Sequence, residues 1–534
     1  MEQKNPDFSN FIIKVVQIMK KQTVTQATLI LTISGFITRA LGLFNRVIIT
    51  RLLGIEGLGI FVLINPTLQL LIVFAQLSLL TAVPALMGKS VQRQKKILSA
   101  SLILALGSTL VSSIVLLFMA RPLADVFLQD SRAYLPLLLI IPHLFAIVIS
   151  TLLRAYFQGE ENASPYAVSQ IAEQITRIAA SFFFVTTLIP YGVVFGVIGI
   201  MLASIVGEIV QIAVLGVAFF RSLKQSHQGA TLKFERLSKD NFKDVSDIAF
   251  PATASRLIGS FTHFLEPIIV VFALSRIGFD NHASHQLFTA VSGIAMALLL
   301  LPNFITLAVN QFISSPISRA YEARNFPMIH RHLNNGFQIS FLMCGLFTVM
   351  VMVFPREILE IIYGRDAGMA WRYLVLAAPA FMLLYFQGPL TTTLQATDRS
   401  KTAFKTSTIT SIIKVVMMLV LMQIPALNIY GLIIAVAANQ ILLTLWELLH
   451  VRSHIRYKVG FKSVFNGTLI LGITYLFGYY LRATTLRQGD MLGMFLLMTI
   501  ICVAYILLVF ICNLFPTFKQ PDKNLPKNAT SIIP

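Results

Sequence analysis

The sequence predicts an all-α polytopic membrane protein with 14 transmembrane helices: two parallel six-helix repeats, an N-lobe and a C-lobe, around a central cavity, then two extra C-terminal helices. Three observations carry this reading. The 534 residues are 56% hydrophobic and 12% charged, which leaves too little polar surface for a soluble globule. Apolar runs of about 20 residues recur from end to end, continuous rather than alternating, and lipid accepts only helices or closed barrels as spanning structures. The third is charge placement: of the 42 Lys and Arg, 28 fall in every second connection and the two tails, and 9 in the opposite connections. The remaining five, Arg39, Arg46, Arg177, Arg256 and Lys414, lie inside spans. Cytoplasmic connections hold the excess of basic residues, so both termini are expected in the cytoplasm of a multi-pass cell-membrane protein.

In chain order, residues 1–23 form a cytoplasmic tail in which Phe8, Phe11, Ile12, Val15 and Met19 recur at helical spacing beside Lys14, Lys20 and Lys21. That pattern predicts a short amphipathic helix at the membrane interface, with chance periodicity in a tail as the plain alternative. Spans 1–6 occupy the N-lobe, 24–220, and spans 7–12 the C-lobe, 247–450, with a polar cytoplasmic linker, 221–246, between them. Spans 13 and 14, 451–515, follow the basic connection of Arg452, Arg456, Lys458 and Lys462, and a cytoplasmic tail, 516–534, ends the chain. The two-lobe division rests on an internal repeat. Residues 156–178 align without gaps on 393–415, which puts Gln158 on Gln395 and Arg177 on Lys414. The seventh span comes six spans after the first, an even offset, so the copies enter the membrane in the same direction, a parallel repeat. Pro142, Pro267, Pro302, Pro379 and Pro389 fall inside spans, where they serve bending or are simply tolerated. Gln158, Gln395, Pro267 and Pro389 are the positions expected to line a cavity or support conformational change.

The charges inside lipid point to function. An arginine near the bilayer centre costs about 2.5–3.5 kcal/mol on insertion scales, so such residues face a polar interior and mark a substrate or ion path. Arg39 and Arg46 are two helical turns apart and share a face. The pattern Thr38-Arg39-Ala-Leu-Gly42 is echoed by Ser255-Arg256-Leu-Ile-Gly259. A guanidinium makes bidentate contacts to phosphate or carboxylate and keeps its charge in a dry site. Arg39, Arg46, Arg51 and Arg256 are therefore candidate ligands of an anionic headgroup, with Arg51 also placed to be an interfacial anchor and the others to pair with carboxylates or carbonyls. Among the acids, Glu173 and Arg177 are spaced to form a local ion pair. Glu208 and Glu266 are further candidates for ion coupling or pairing, with Glu266 able to offset Arg256. Glu447 sits near the cytoplasmic end of its span, where snorkelling is expected.

Several classes are excluded. Cys344, Cys502 and Cys512 all lie in apolar runs, and His450 and His454 lack a third ligand, so no disulfide framework, metal site or cofactor is expected. No phosphate-binding loop or nucleophile elbow occurs. The longest outer connections, 120–133 and 355–371, are too short for a catalytic domain, so the chain is not expected to be an enzyme. The net charge of +19 falls on one membrane side, which argues against nucleic acid as a partner.

Four motif groups carry a resemblance: Gly35-Phe-Ile-Thr-Arg-Ala-Leu-Gly42 with Asn45-Arg46; Arg154-Ala-Tyr-Phe-Gln-Gly159 with Ser169-Gln-Ile-Ala-Glu-Gln174; Ser255-Arg-Leu-Ile-Gly259 with Glu266-Pro-Ile-Ile269; and Tyr385-Phe-Gln-Gly-Pro389 with Leu394-Gln-Ala396. With these, the chain resembles the polysaccharide-export and lipid II flippase branch of the MOP (multidrug/oligosaccharidyl-lipid/polysaccharide) superfamily, and within it the members that act in sporulation. The resemblance implies a flippase or exporter of an undecaprenyl-linked peptidoglycan or polysaccharide precursor, lipid II-like, working by alternating access in spore cortex or cell wall synthesis. It implies as partners the lipid-linked oligosaccharide or peptidoglycan precursor, the phospholipid bilayer and cell-wall synthases, with the protein itself a monomer. In the lipid II flippases, arginines of spans 1, 2 and 8 are associated with substrate recognition. Here span 1 and Arg256 of span 7 offer comparable charge, while span 2 has no arginine and span 8 none before its cytoplasmic end, which leaves a related undecaprenyl-linked glycan as a second candidate for cargo. The alternatives are a cation-coupled multidrug antiporter of the same superfamily and a non-transporting scaffold for cell-wall synthesis.

Overall fold

With no water in the hydrocarbon to receive backbone N–H and C=O groups, each apolar run satisfies them internally as a helix. The computed structural model describes residues 24–87, 91–160, 162–225, 239–457, 461–485 and 491–512, and among the described residues all regular structure is helical. The interfacial helix expected at 8–21, both tails and most of the linker lie outside the described residues. The main helices are α1 (Val24–Gln76), α2 (Leu79–Leu86), α3 (Val91–Pro122), α4 (Ile140–Gly159), α5 (Ala163–Leu188), α6 (Val193–Gln225), α7 (Lys239–Arg276), α8 (Asn281–Phe288), α9 (Asn303–Glu322), α10 (Phe326–Ser340), α11 (Leu346–Val353), α12 (Pro355–Tyr363), α13 (Trp371–Ala396), α14 (Ser400–Leu421), α15 (Tyr430–Ile455), α16 (Phe461–Thr485) and α17 (Met491–Ile511).

Eleven helices among the described residues are long and apolar enough to cross a membrane, or twelve if the pair Asn281–Leu299 and Asn303–Glu322, bent by 43° beside Pro302, is one span. Two features keep fourteen spans compatible with this. α1 is broken at Gly54, whose φ of 68° a side chain would strain, into two stretches of spanning length. α5 has 26 residues but opens with Ser164, Gln170, Glu173, Gln174 and Arg177, too polar a run to qualify by composition.

The chain gathers into two compact units. The first holds the described residues up to Ile294 together with Glu360–Ala367 and Ser411–Ala435; the second holds Ala295–Leu359, Gly368–Thr410 and the chain from Val436 onward. In the first unit α5 packs along α6, α1 packs on both, and α7 packs on α1, α2 and α3. The last contact explains why α7 starts at Lys239, well inside the expected linker. Val245 and Ala249 bury against Leu77, Ala82, Ile97 and Ala100, and Asp240 in the first turn faces the positive end of the helix dipole. In the second unit one cluster joins Val309, Ile313 and Ile317 of α9 to Leu333 of α10 and to Leu390 and Leu394 of α13. A second cluster seats the two C-terminal helices, with Ile470, Tyr505 and Val509 against Phe341, Cys344, Met382 and Tyr385. The Tyr505 hydroxyl donates to the Phe341 carbonyl at 2.8 Å, so that buried oxygen is satisfied.

One packing detail recurs in the two repeats. A Cβ at Gly199 would lie 3.0 Å from the backbone carbonyl of Phe184, and a Cβ at Gly431 would lie 2.8 Å from the backbone of Leu421 and Met422. In the alignment that pairs Arg177 with Lys414, Phe184 falls on Leu421 and Val185 on Met422. Each repeat therefore brings a glycine of the following helix onto the same backbone spot. Backbone cannot swing aside as a side chain can, so Gly199→Ala and Gly431→Ala are each expected to cost about 1–3 kcal/mol, seen as a lower thermal unfolding midpoint of the detergent-solubilised protein.

An ionic cluster closes one end of the first unit. Arg132 donates from Nε to Asp130 Oδ1 at 2.9 Å, from Nη2 to Asp130 Oδ2 at 2.9 Å and from Nη1 to Glu56 Oε1 at 2.6 Å. His285 donates from Nε2 to the Leu128 carbonyl at 2.8 Å and brings Nδ1 to 3.5 Å from Asp130. Asp130 lies outside the membrane-spanning segments. Burial pushes its carboxyl up, but hydrogen bonds from His285 and Arg132, with the charge of Arg132, overcome this and hold it well below the usual carboxylate range. A depressed folded value means stability that is complete above the unfolded pKa, near 3.9, and is lost as pH falls through the folded one. Asp130→Asn is thus expected to lower the unfolding midpoint by a constant amount from neutral pH down to about pH 5, with the gap to wild type closing only below about pH 4.

Candidate functional site

Arg39 and Arg256 are both exposed, on α1 and α7. No carboxylate of the described residues comes within 4.0 Å of either, and no hydrogen bond joins one to the other. Arg46 is half-buried and donates from Nη2 to the Gly293 carbonyl at 2.9 Å. Gly293 lies in the π-helical segment Thr289–Met296, where the widened turn loosens the usual backbone pairing. Arg51 donates from Nε to the Ile362 carbonyl at 3.3 Å and from Nη2 to the Ile361 carbonyl. Both carbonyls belong to the last turn of α12, which intrahelical bonds leave open and where a cation meets the negative end of the dipole. Gly364, at φ 101°, turns the chain away there.

The acidic candidates are all accounted for by neighbours. Glu173 meets Arg177 at 3.1 Å, and Gln174 donates to Glu173 Oε2 at 3.2 Å. Ser150 donates to Glu208 Oε2 at 2.6 Å. Close by on α4, the Thr151 hydroxyl accepts from Gln76 Nε2 and from Arg154 Nη2, each at 2.9 Å, so α1, α4, α5 and α6 share a polar interior. Gly207 gives α5 room: a Cβ there would lie 3.2 Å from Arg177 Cβ and from the Glu173 carbonyl. Glu266 does not pair with Arg256. Its Oε1 takes Lys414 Nζ at 2.5 Å and His263 Nδ1 at 2.9 Å. Glu447 does not snorkel. It is buried and accepts from Thr391 Oγ1 at 2.7 Å, because α15 continues two turns past it to Ile455 and its face packs inward.

Gln158 and Gln395 are exposed in the last turns of α4 and α13, at equivalent places in the two repeats. Pro267 and Pro389 sit inside α7 and α13, and Pro389 packs against the Cα side of Gly336. Lys414 and His263 were not singled out from the sequence as partners of Glu266, although the alignment of Lys414 with Arg177 was a signal. Among the described residues no group of three His, Cys, Asp or Glu could hold a metal ion. Among the described residues the five intramembrane cations are treated unevenly: Arg177 and Lys414 are held by carboxylates, while Arg39, Arg46 and Arg256 are not.

The sequence comparisons agree with this architecture. A family model described as polysaccharide biosynthesis protein matches residues 24–278, and the MatE model matches 257–420. Stage V sporulation protein B of Bacillus subtilis (strain 168) is 34% identical over 432 residues, covering 80% of this chain and 83% of that protein. The chain belongs to that family, in the flippase branch of the MOP superfamily. It is thereby a multi-pass membrane transporter by descent and not an enzyme. Lipid II flippase MurJ of Bacillus subtilis (strain 168) is 20% identical over 477 residues, 84% of this chain and 85% of that protein. Among solved structures, Lipid II flippase MurJ in an inward closed conformation superposes with a TM-score of 0.65 at 17% identity, covering 91% of this chain and 99% of that one. A multidrug resistance MATE family transporter in its inward-facing conformation gives 0.62 at 18% identity, covering 78% and 94%. Both likenesses are of fold.

Proposed function

We propose that this protein flips an undecaprenyl-linked glycan, a lipid II-like peptidoglycan precursor or a related polysaccharide precursor, from the cytoplasmic to the outer leaflet by alternating access, in the making of the spore cortex or cell wall. The observation that carries the reading is the imbalance of charge: Arg39, Arg46 and Arg256 lie in membrane helices without a carboxylate partner among the described residues, and guanidinium groups in lipid without such a partner are what a pyrophosphate head requires. The names of two relatives, Stage V sporulation protein B and Lipid II flippase MurJ, support it. A multidrug antiporter coupled to cations calls for carboxylates free to take them, whereas two of the three coupling candidates, Glu173 and Glu266, already hold cations of the chain itself and the third, Glu208, accepts from Ser150. On this reading the lobes 24–220 and 247–450 are the moving parts, both termini are cytoplasmic, and synthases of the wall are the partners that consume the cargo.

With a negative cell interior, outward movement of an anionic head is downhill by about 2.3 kcal/mol per charge per 100 mV. The test is reconstitution into vesicles with a labelled undecaprenyl-pyrophosphoryl disaccharide. Protein-dependent transbilayer movement is expected, faster when an imposed potential draws anions toward the receiving side. Absence of movement with and without the potential would sink the proposal.

A further inference from the structure

In the second unit, α9 and α13 border a groove of about 430 Å³, within the range of about 300–1,000 Å³ common for small-molecule sites. α9 contributes Asn310, Gln311 and Ser314, and α13 contributes Gln387, Thr391 and Gln395. Ser314 lies four residues after Asn310 and three after Gln311, and Gln387, Thr391 and Gln395 lie four apart, so each set occupies one side of its helix. Neither face carries a charge: the groove is lined by amides, hydroxyls, leucine and glycine, without Lys, Arg, His, Asp or Glu.

Neutral polar side chains between membrane helices often serve only to join them by mutual hydrogen bonds. Here two of the amides do not. Asn310 Oδ1 and Gln387 Oε1 are buried acceptors without a hydrogen-bond partner, a state that costs free energy unless something supplies a donor. The backbone also makes room for one of them: a Cβ at Gly388 would lie 2.5 Å from Asn310 Nδ2 and 3.2 Å from Oδ1. Thr391 is fixed from behind, since its hydroxyl donates to the buried Glu447 at 2.7 Å.

The chemistry of the lining selects the ligand. A phosphate finds no cation there and an ammonium finds no anion. Carboxamides and hydroxyls both donate and accept, as do the hydroxyl and N-acetyl groups of a sugar. We infer that the groove between α9 and α13 is a subsite for the neutral sugar of the lipid-linked substrate, with Asn310 and Gln387 as its hydrogen-bonding residues. This inference rests on the flippase reading above and adds to it a place for the part of the cargo that the arginines cannot recognise.

The test uses the full chain in nanodiscs and two probes: undecaprenyl pyrophosphate, and the same lipid bearing an N-acetylglucosamine–N-acetylmuramic acid disaccharide. Asn310→Leu combined with Gln387→Leu is expected to weaken binding of the disaccharide lipid about tenfold, the loss of two net hydrogen bonds, and to leave undecaprenyl pyrophosphate unchanged. Gly388→Ala, which displaces the Asn310 amide without deleting it, is expected to act in the same direction, and Gln395→Ala at the exposed rim serves if the leucine pair does not fold. Arg39→Ala is expected to weaken both probes. Free disaccharide that displaces the lipid-linked probe from the wild type but not from the double variant supports the subsite and shows that it reads sugar without the lipid. Equal loss of both probes in the double variant, or no loss of either, overturns the sugar subsite and leaves the flippase reading standing. Failure of the wild type to bind either lipid overturns both.

Discussion

Replacing Lys414 with methionine is expected to destabilise the protein by about 3–5 kcal/mol, and adding Glu266→Gln to restore most of that. The Lys414 side chain is 5% exposed and that of Glu266 16%, with Nζ 2.5 Å from Oε1. Removing one partner of a buried pair strands the other charge in low dielectric, which costs far more than the pair was worth; removing both leaves two neutral groups that the interior tolerates. His263 meets the same carboxylate oxygen at 2.9 Å, but its side chain is 66% exposed, so solvent screens it and His263→Ala should change stability little. Arg177→Met is expected to destabilise by the same mechanism, because the Glu173 carboxylate that it strands is 8% exposed. The readout is the unfolding midpoint of the solubilised protein for the two single variants and the double. A double variant no more stable than Lys414→Met would show that the lysine acts by something other than compensating Glu266.

How far these features could be read in advance follows from the range over which each is determined. Composition, continuous apolar runs and the bias of basic residues are local and cheap to detect, and they yield an all-helical membrane protein. The repeat was legible because Gln158 and Gln395, Arg177 and Lys414 keep register over more than twenty residues, and the matched glycine contacts of Gly199 and Gly431 carry the same register into packing. Glu173 with Arg177 was legible as helical spacing. The partner of Glu266 was not, because proximity of α7 to α14 is tertiary, and the nearest arginine in sequence, Arg256, was the natural but wrong choice. Glu447 was misplaced for a related reason: its distance from the end of a span was judged from hydropathy, while α15 runs on to Ile455. The amide faces of α9 and α13 escaped notice because a neutral Asn or Gln costs a membrane helix much less than an arginine, and an averaged apolar run absorbs it.

Arg39→Ala and Arg256→Ala are each expected to slow transbilayer movement of the lipid-linked glycan about tenfold to a hundredfold, the worth of a charge-assisted hydrogen bond, and the double variant to slow it further still. Stability should hardly move, because neither guanidinium has a carboxylate partner among the described residues to leave stranded. This is the reverse of Lys414→Met, where stability is the primary loss. Arg51→Ala provides the third pattern. Its guanidinium closes the open carbonyls of Ile361 and Ile362, so it is expected to lower the unfolding midpoint modestly. Arg39→Lys discriminates between charge and shape: a lysine keeps the charge but loses the planar fork, so partial activity is expected if a phosphate is gripped bidentately. Flipping at the wild-type rate in the Arg39→Ala, Arg256→Ala double variant, with protein amount and potential held equal, would remove the arginines from the transport path and leave their exposure in the membrane helices without a reason.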